Sequence, residues 1–234
     1  MKLAIMQPYF FPYLGYFQLI NAADKFVVYD DIEYTKKGWI NRNRILLNGK
    51  DFLFSIPLKK DSDFESINKR FLADNYPEHK KKIIGQIESA YSKSPEFNIV
   101  FPIIDECFSF SDTNLFNFIF NSINKICHYL EIKTEFILSS TLQMDAHLKG
   151  EDKVISVNKK LNSSVYINAI GGQELYSKDL FLKNDIELKF IKTRPIIYQQ
   201  LKNEFVPDLS VIDVMMFNSK EKIQEYLQSY YTLL

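Results

Sequence analysis

The chain has 234 residues, of which 46% are hydrophobic and 15% aromatic, with 29 basic and 29 acidic side chains and a pI near 6.8. That apolar share can fill a substantial core and excludes a disordered chain. A net charge of zero excludes a sequence-independent binder of a nucleic-acid duplex, but not a local cationic pocket.

Leu3 to Met6 reads as a short buried strand, broken by Pro8 and Pro12. Residues 13–23 read as a helix with Leu14, Phe17, Leu19 and Ile20 on its apolar face, and Lys25 to Tyr29 as the next strand. A strand–helix–strand unit of this length implies a parallel pair, with Asp30 and Asp31 at the carboxyl edge, where open α/β sheets bind ligands. Residues 32–50 lack a period and end in Asn48-Gly49, a turn signal. Asp51 to Leu58 alternates and predicts a third strand.

Helical patterns follow over about 75–91, 95–106 and 112–130, the last with Asp112 as its cap. Glu135 to Leu138 predicts a strand, about 151–161 a helix, and Ser164 to Asn168 a strand that runs into a Gly171-Gly172 turn. Glu187 to Ile191 is a further strand, and the tail from Ser210 reads as helical. The expected fold is therefore α/β: a Rossmann-like, mostly parallel sheet of about six strands with helices on both faces. We expect one domain over residues 1–234, with 75–130 as a helical insertion or subdomain within it.

Cys107 and Cys127 fall in apolar helical stretches and read as reduced core thiols of a cytoplasmic protein. His79, His128 and His147 have no ligand spacing, so no metal site is expected, and Asp145 beside His147 reads as structural. No apolar run is long enough for membrane insertion. Pro8, Pro12 and the aromatics around them do not read as a signal peptide.

Only Arg42, Arg44, Arg70 and Arg194 interrupt an otherwise all-lysine basic set. Two arginines within three positions suggest a need for the guanidinium fork, which grips a phosphate or carboxylate where an ammonium is only a point charge. Arg42 or Arg44 is a candidate diphosphate clamp, or the partner of Asp30 or Asp31 in an internal ion pair, and Arg194 a third cation. Trp39, the only tryptophan, can pack on a ring, and Lys37 beside it has a better case than Lys36. If 41–44 is extended, Asn41 and Asn43 share one side and the arginines the other. The asparagines are candidate donors to an oxyanion. Asp30 and Asp31 can be a turn cap, an ion-pair partner or a general base, and in an extended segment only one can face a given pocket. Tyr13 and Tyr16 lie on one helical face and are either core or ligand-stacking, with Gly15 between them permitting close approach. Gly171 and Gly172 are either a helix-initiating turn or a phosphate cradle.

Gln7-Pro8-Tyr9-Phe10-Phe11-Pro12-Tyr13-Leu14-Gly15-Tyr16, Tyr29-Asp30-Asp31-Ile32-Glu33-Tyr34 and Lys37-Gly38-Trp39-Ile40-Asn41-Arg42-Asn43-Arg44 resemble successive blocks of the WbqC-like protein family. Tyr166, Gly171-Gly172, Tyr176 and the stretch Phe205 to Asp213 resemble its C-terminal half. Asn168-Ala169 departs from the Ser-Gly pair that the family tends to have there. The resemblance implies work in bacterial O-antigen, that is lipopolysaccharide, or other surface-polysaccharide biosynthesis. The implied activity is a transferase that N-acylates a nucleotide-diphosphate amino sugar, with an amino acid such as glycine as the acyl group. Gln7 and Tyr176, within the matching blocks, join the candidate substrate-binding residues. The small acyl or amino-acid donor is not specified, and ATP or another activated donor are both open, as is an oligomer.

Tyr13-Leu14-Gly15-Tyr16 also resembles, more loosely, the His-x-Gly-His loop of pantothenate synthetases and cytidylyltransferases, with tyrosines in place of histidines. That likeness implies, as an alternative, an ATP-dependent amide ligase. A non-catalytic nucleotide-sugar-binding protein is the third reading.

Overall fold

The computed structural model describes residues 1–62, 64–145, 147–202 and 204–234. At its centre runs β1 (Lys2–Met6), whose near-continuous apolar sequence is what a parallel strand buried on both faces requires. After α1 (Leu14–Ala22), β2 (Lys25–Val28) pairs parallel to β1, Leu3 opposite Lys25 and Met6 opposite Val28. The chain then leaves the sheet for an antiparallel hairpin, β3 (Arg42–Leu47) and β4 (Lys50–Ser55), closed by Asn48 and Gly49 at φ 53° and 75°. Two positive φ values at an Asn-Gly pair give the primed turn whose twist suits a hairpin.

Three helices follow, α2 (Tyr76–Tyr91), α3 (Phe97–Phe108) and α4 (Leu115–Tyr129). The chain re-enters the sheet as β5 (Glu135–Leu138), beside β2. Then come α5 (Gly150–Lys160), β6 (Val165–Ala169), α6 (Lys178–Leu182) and β7 (Glu187–Thr193), followed by α7 (Val211–Phe217), α8 (Lys220–Ser229) and β8 (Tyr231–Leu233). The sheet order is β5-β2-β1-β6-β7-β8, parallel except for β8, which runs antiparallel to β7.

The fold is thus α/β with a mostly parallel six-stranded sheet, and two assignments within it are corrected. Residues 51–58 do not join the sheet: their strand pairs with 42–47, which carries no sequence period because polar Asn43 is buried on one face and Leu46 is buried on the face that carries Arg42 and Arg44. The sixth sheet strand is instead Tyr231–Leu233, within a tail read as helical throughout. Three residues are too few to show a period, and only the β7 edge makes them a strand. The cap of α4 is Asn114, whose side chain accepts from the Asn117 N–H, while Asp112 accepts from the Asn114 N–H and the Asn117 side chain one turn earlier.

Alternation along the strands feeds two cores. Ala4, Phe26, Val28, Ile167 and Ile191 face one side, where α1–α4, α7, α8 and the hairpin share a continuous cluster. Leu3, Ile5, Val27, Tyr166, Leu188 and Phe190 face the other, under α5 and α6. The helices of 75–130 therefore bury their apolar faces in the same cluster as the sheet. Both cysteines lie in that core, and burial pushes the Cys107 thiol up to about 12, so the thiolate is inaccessible. Among the described residues, no helix is long and apolar enough to cross a membrane.

Candidate functional site

In this strand order the connections from β1 and β6 run to opposite sides, and the crevice outside their carboxyl ends is the topological switch point where open α/β sheets bind ligands. A cavity of about 350 Å³ lies there, lined by Gln7, Tyr29, Asn168 and Tyr176 from the ends of the parallel strands and the turns beyond them. A second cavity, about 320 Å³, is bounded by Tyr9, Pro12, Trp39, Asn43, Arg44 and Asp208. A third, about 520 Å³, includes Lys192, Arg194, Tyr198, Phe205 and, again, Asp208. Tyr13 lines all three, so they form one branched cleft around its ring.

The turn carrying Tyr13 is built with care. Phe10 and Phe11 are fully buried and pack on Phe108, which anchors the turn to the helical core. Phe11 adopts φ 45°, a left-handed conformation disfavoured for a bulky residue. Its carbonyl is gripped by the Asn43 amide at 2.7 Å and the Ser210 hydroxyl at 2.8 Å, while the same Asn43 amide also donates to the Phe10 carbonyl at 3.0 Å. Val211 N–H donates to the Pro12 carbonyl at 2.9 Å. The hairpin and the start of α7 thus hold the strained turn from two sides. A hydrogen bond from Phe10 N–H to the Ile40 carbonyl brings Trp39 to the same edge.

Tyr13 and Tyr16 do not share a face. Tyr13 is the extended residue before α1 and is 40% exposed, whereas Tyr16 is 3% exposed and donates to the Gln7 carbonyl at 2.9 Å. Gly15 has a steric role: a Cβ there would lie 2.3 Å from the Tyr13 ring and 2.7 Å from the Thr193 hydroxyl. The Tyr13 ring therefore covers the helix start that a His-x-Gly-His loop would present to a nucleotide.

Asp30 is the best-satisfied acid of the sheet edge. It accepts from Ser139 Oγ (2.9 Å), Ser140 N (2.9 Å), Ser140 Oγ (2.6 Å) and Asn68 Nδ2 (3.0 Å). Burial raises its carboxyl, but the bonds from Ser140, Ser139 and Asn68 outweigh burial and hold it below the usual range. With its lone pairs occupied, it clasps β2 to the turns at 67–69 and 139–142. Asp31 is exposed, bonded to Ser139 Oγ and paired with Lys153 at 3.7 Å.

On β3 the alternation expected of 41–44 is present in part: Asn43 points inward while Arg42 and Arg44 lie over Trp39, 5.8 and 5.5 Å from its ring centre. Arg42 Nε donates to the Gly38 carbonyl at 2.9 Å and another of its nitrogens to the Lys37 carbonyl, so it closes its own loop, and the Lys37 side chain stays exposed. Arg44 pairs with Asp51 at 3.2 Å and donates to the Asp208 carbonyl at 3.3 Å. Asn41 accepts from the Tyr34 hydroxyl and donates to the Ile56 carbonyl, both 2.8 Å, and faces a different cavity beside Lys59 and Arg70.

Gly172 is required small because a Cβ would lie 2.7 Å from the Asn168 amide, while Gly171 borders open space; neither has a positive φ. Arg194 and Lys192 are exposed and have no side-chain partner among the described residues. The fold therefore brings Gln7, Tyr13, Gly15, Tyr16, Gly171, Gly172, Tyr176, Trp39, Asn43, Arg44 and Arg194 around one cleft. Asp30, Asp31, Lys37, Asn41 and Arg42 lie outside it. Tyr9, Tyr29, Asn168, Lys192 and Asp208 line it without having been singled out. Asp208 was legible in one respect, since Pro207-Asp208 is a turn signal between apolar residues.

The WbqC-like protein family model matches residues 7–225, a span that includes every lining residue of the cleft named so far. The chain belongs to the WbqC-like protein family. This family member is also 25% identical over 229 residues to Uncharacterized protein Rv1507c of Mycobacterium tuberculosis, covering 97% of each chain. No solved structure matches it. Among the described residues of this WbqC-like chain, no group of three or more histidine, cysteine, aspartate or glutamate side chains could hold a metal ion.

Proposed function

We propose that the chain is a transferase of bacterial surface-polysaccharide (O-antigen) biosynthesis that N-acylates a nucleotide-activated amino sugar. Family membership supports the setting. The observation that carries the substrate class is the branched cleft, with an aromatic branch at Trp39 and a cationic branch at Lys192 and Arg194, meeting at the switch point. Arg194 and Lys192 serve the diphosphate in this reading, because Arg42 and Arg44 already have protein partners. The sugar occupies the central branch, where Gln7, Asn168 and the Tyr176 hydroxyl offer neutral hydrogen bonds suited to hydroxyl groups. The acyl group is an amino acid such as glycine, delivered by a small activated donor. The nitrogen lone pair of the amine attacks the acyl carbon, the bond to the leaving group breaks with its electron pair, and the amine loses a proton.

Isothermal calorimetry with a thymidine-diphosphate amino sugar, on the wild type and Arg194→Ala, tests the binding half. Micromolar binding weakened at least several-fold by the substitution is expected, and equal binding by both proteins removes Arg194 from the diphosphate site. Mass spectrometry of the sugar after incubation with glycine and ATP, or with a glycyl thioester, tests the transfer. An increment of one glycyl group supports it. Release of AMP and pyrophosphate identifies the ligase route, and no product with any donor leaves a nucleotide-sugar-binding protein.

A further inference from the structure

Asp208 lies between the second and third branches of the cleft and lines both. Its backbone adopts φ 55°, a conformation that aspartate and asparagine tolerate better than other side chains. Every neighbouring contact fixes that geometry. Arg44 Nη2 holds the Asp208 carbonyl at 3.3 Å, the Ser210 N–H donates to the Arg44 carbonyl at 2.9 Å, and Leu209 between them is buried. The carboxylate is therefore presented on rigid backbone, yet it has no hydrogen-bond or ion-pair partner among the described residues. Arg44 does not supply one, since its charge is paired with Asp51 at 3.2 Å.

The remaining wall of the second branch holds the rings of Tyr9, Tyr13 and Trp39 beside Pro12, Asn43 and Arg44, and the Trp39 ring is already covered by Arg42 and Arg44. Ring faces are negative by their quadrupole and attract cations. Burial and then the Asp208 charge raise the Tyr13 phenol, so it stays neutral beside the carboxylate. On the side of the second branch, a carboxylate without a partner beside aromatic rings attracts a compact cation.

We propose that Asp208, with the rings of Tyr9 and Tyr13, is the ammonium-binding subsite of the cleft, and that it selects substrates carrying an amine. The inference rests on the amino-sugar reading for the identity of that amine, but not for the chemistry of the subsite.

Trp39 is the chain's only tryptophan, so its fluorescence reports this branch. The test titrates wild type and Asp208→Asn with a thymidine-diphosphate amino sugar and with the same nucleotide sugar bearing a hydroxyl in place of the amine. Asparagine accepts the same left-handed backbone, so the turn is kept. The wild type should prefer the amine by about ten- to a hundred-fold, the range of a charge-assisted contact, and Asp208→Asn should bind both ligands alike. A preference retained by Asp208→Asn, or no preference in the wild type, overturns the subsite and leaves the nucleotide-sugar reading standing. If neither nucleotide sugar binds, that reading falls instead. The subsite is then decided by 2-phenylethylamine against neutral 2-phenylethanol: a preference for the amine that Asp208→Asn abolishes supports it, and equal quenching of Trp39 overturns it.

Discussion

The floor of the cleft and its mouth are drawn from the same short stretches of chain but obey different rules. At the floor Tyr16 and Asn43, and just outside the cleft Asp30, have nearly every polar atom engaged: Tyr16 on the Gln7 carbonyl, Asn43 on the Phe10 and Phe11 carbonyls and the Arg44 N–H, Asp30 on four donors. At the mouth, Tyr13 and Trp39 are 40% and 41% exposed, and Lys192, Arg194 and the Asp208 carboxylate have no side-chain partner among the described residues. A group with satisfied hydrogen bonds and no access to water stabilises the fold, while an open group keeps its bonding capacity for a ligand. Neighbours in sequence are thus divided by burial, as Tyr13 is from Tyr16 and Arg44 from Asn43.

The largest expected effect separates the two tyrosines. Tyr16→Ala should lower stability by about 3–5 kcal/mol, the range for truncating a buried aromatic, and Tyr13→Ala by about 1 kcal/mol or less while abolishing ligand binding. Urea denaturation and calorimetry on the same proteins check this, and comparable stability losses would erase the distinction between floor and mouth.

Next comes the acid pair. Asp30→Ala leaves the Ser139, Ser140 and Asn68 donors without their acceptor and should cost roughly 2–3 kcal/mol, against about 1 kcal/mol or less for Asp31→Ala, whose carboxylate is exposed and sits 3.7 Å from Lys153. Equal destabilisation by the two would show that the Asp30 clasp is not a structural tie.

Asn43 spans both regions, since it is buried yet lines the Trp39 branch. Asn43→Ala should cost about 1–2 kcal/mol and also loosen the turn at Phe11. Faster amide exchange at Ser210 and Val211, whose N–H groups bond beside that turn, is the expected signature. Unchanged exchange would place the strain elsewhere.

The smallest effect is in pH dependence. Asp30 is held below 3.8 in the fold, so its contribution is fully present above that value and is lost as pH falls through the folded pKa. Asp213 has the opposite sign. It is fully buried and accepts from Tyr91 (2.9 Å), Tyr198 (2.7 Å) and Gln200 (2.7 Å), but burial outweighs these neutral donors and raises its carboxyl above 3.8. The fold then binds a proton that the unfolded chain has released, so stability falls as pH rises from 3.8 through the folded pKa. Denaturation across pH should show Asp213→Asn removing that decline and Asp30→Asn removing the acid-side loss. Reversed slopes would mean the donors, not burial, set Asp213.

Much of the fold was legible because its signals are local. The runs at 3–6 and 25–29 are apolar almost throughout, as parallel strands buried on both faces are. Residues 135–138 and 164–168 each hold three consecutive apolar residues, and 187–191 sets Leu188, Phe190 and Ile191 against Glu187 and Lys189. The helical periods of 76–91, 97–108 and 115–129 are set by one face each. The hairpin partner at 42–47 and the edge strand at 231–233 were not, since pairing with a neighbour, rather than any pattern of their own, makes them strands.

The candidate site divides in the same way. The sequence by itself determined that aromatic, arginine and glycine residues would gather near the carboxyl end of the first parallel pair, because a strand–helix–strand unit puts its turns there. Only the tertiary structure decided which of them face the cleft. Burial and partner choice depend on elements far along the chain: Ser139 and Ser140 enclose Asp30, Asp51 takes the charge of Arg44, Thr193 crowds Gly15, and the turn before α7 sets Asp208 against Tyr13. These are long-range contacts made by side chains whose type carries no record of the partner, so no local pattern could have specified them.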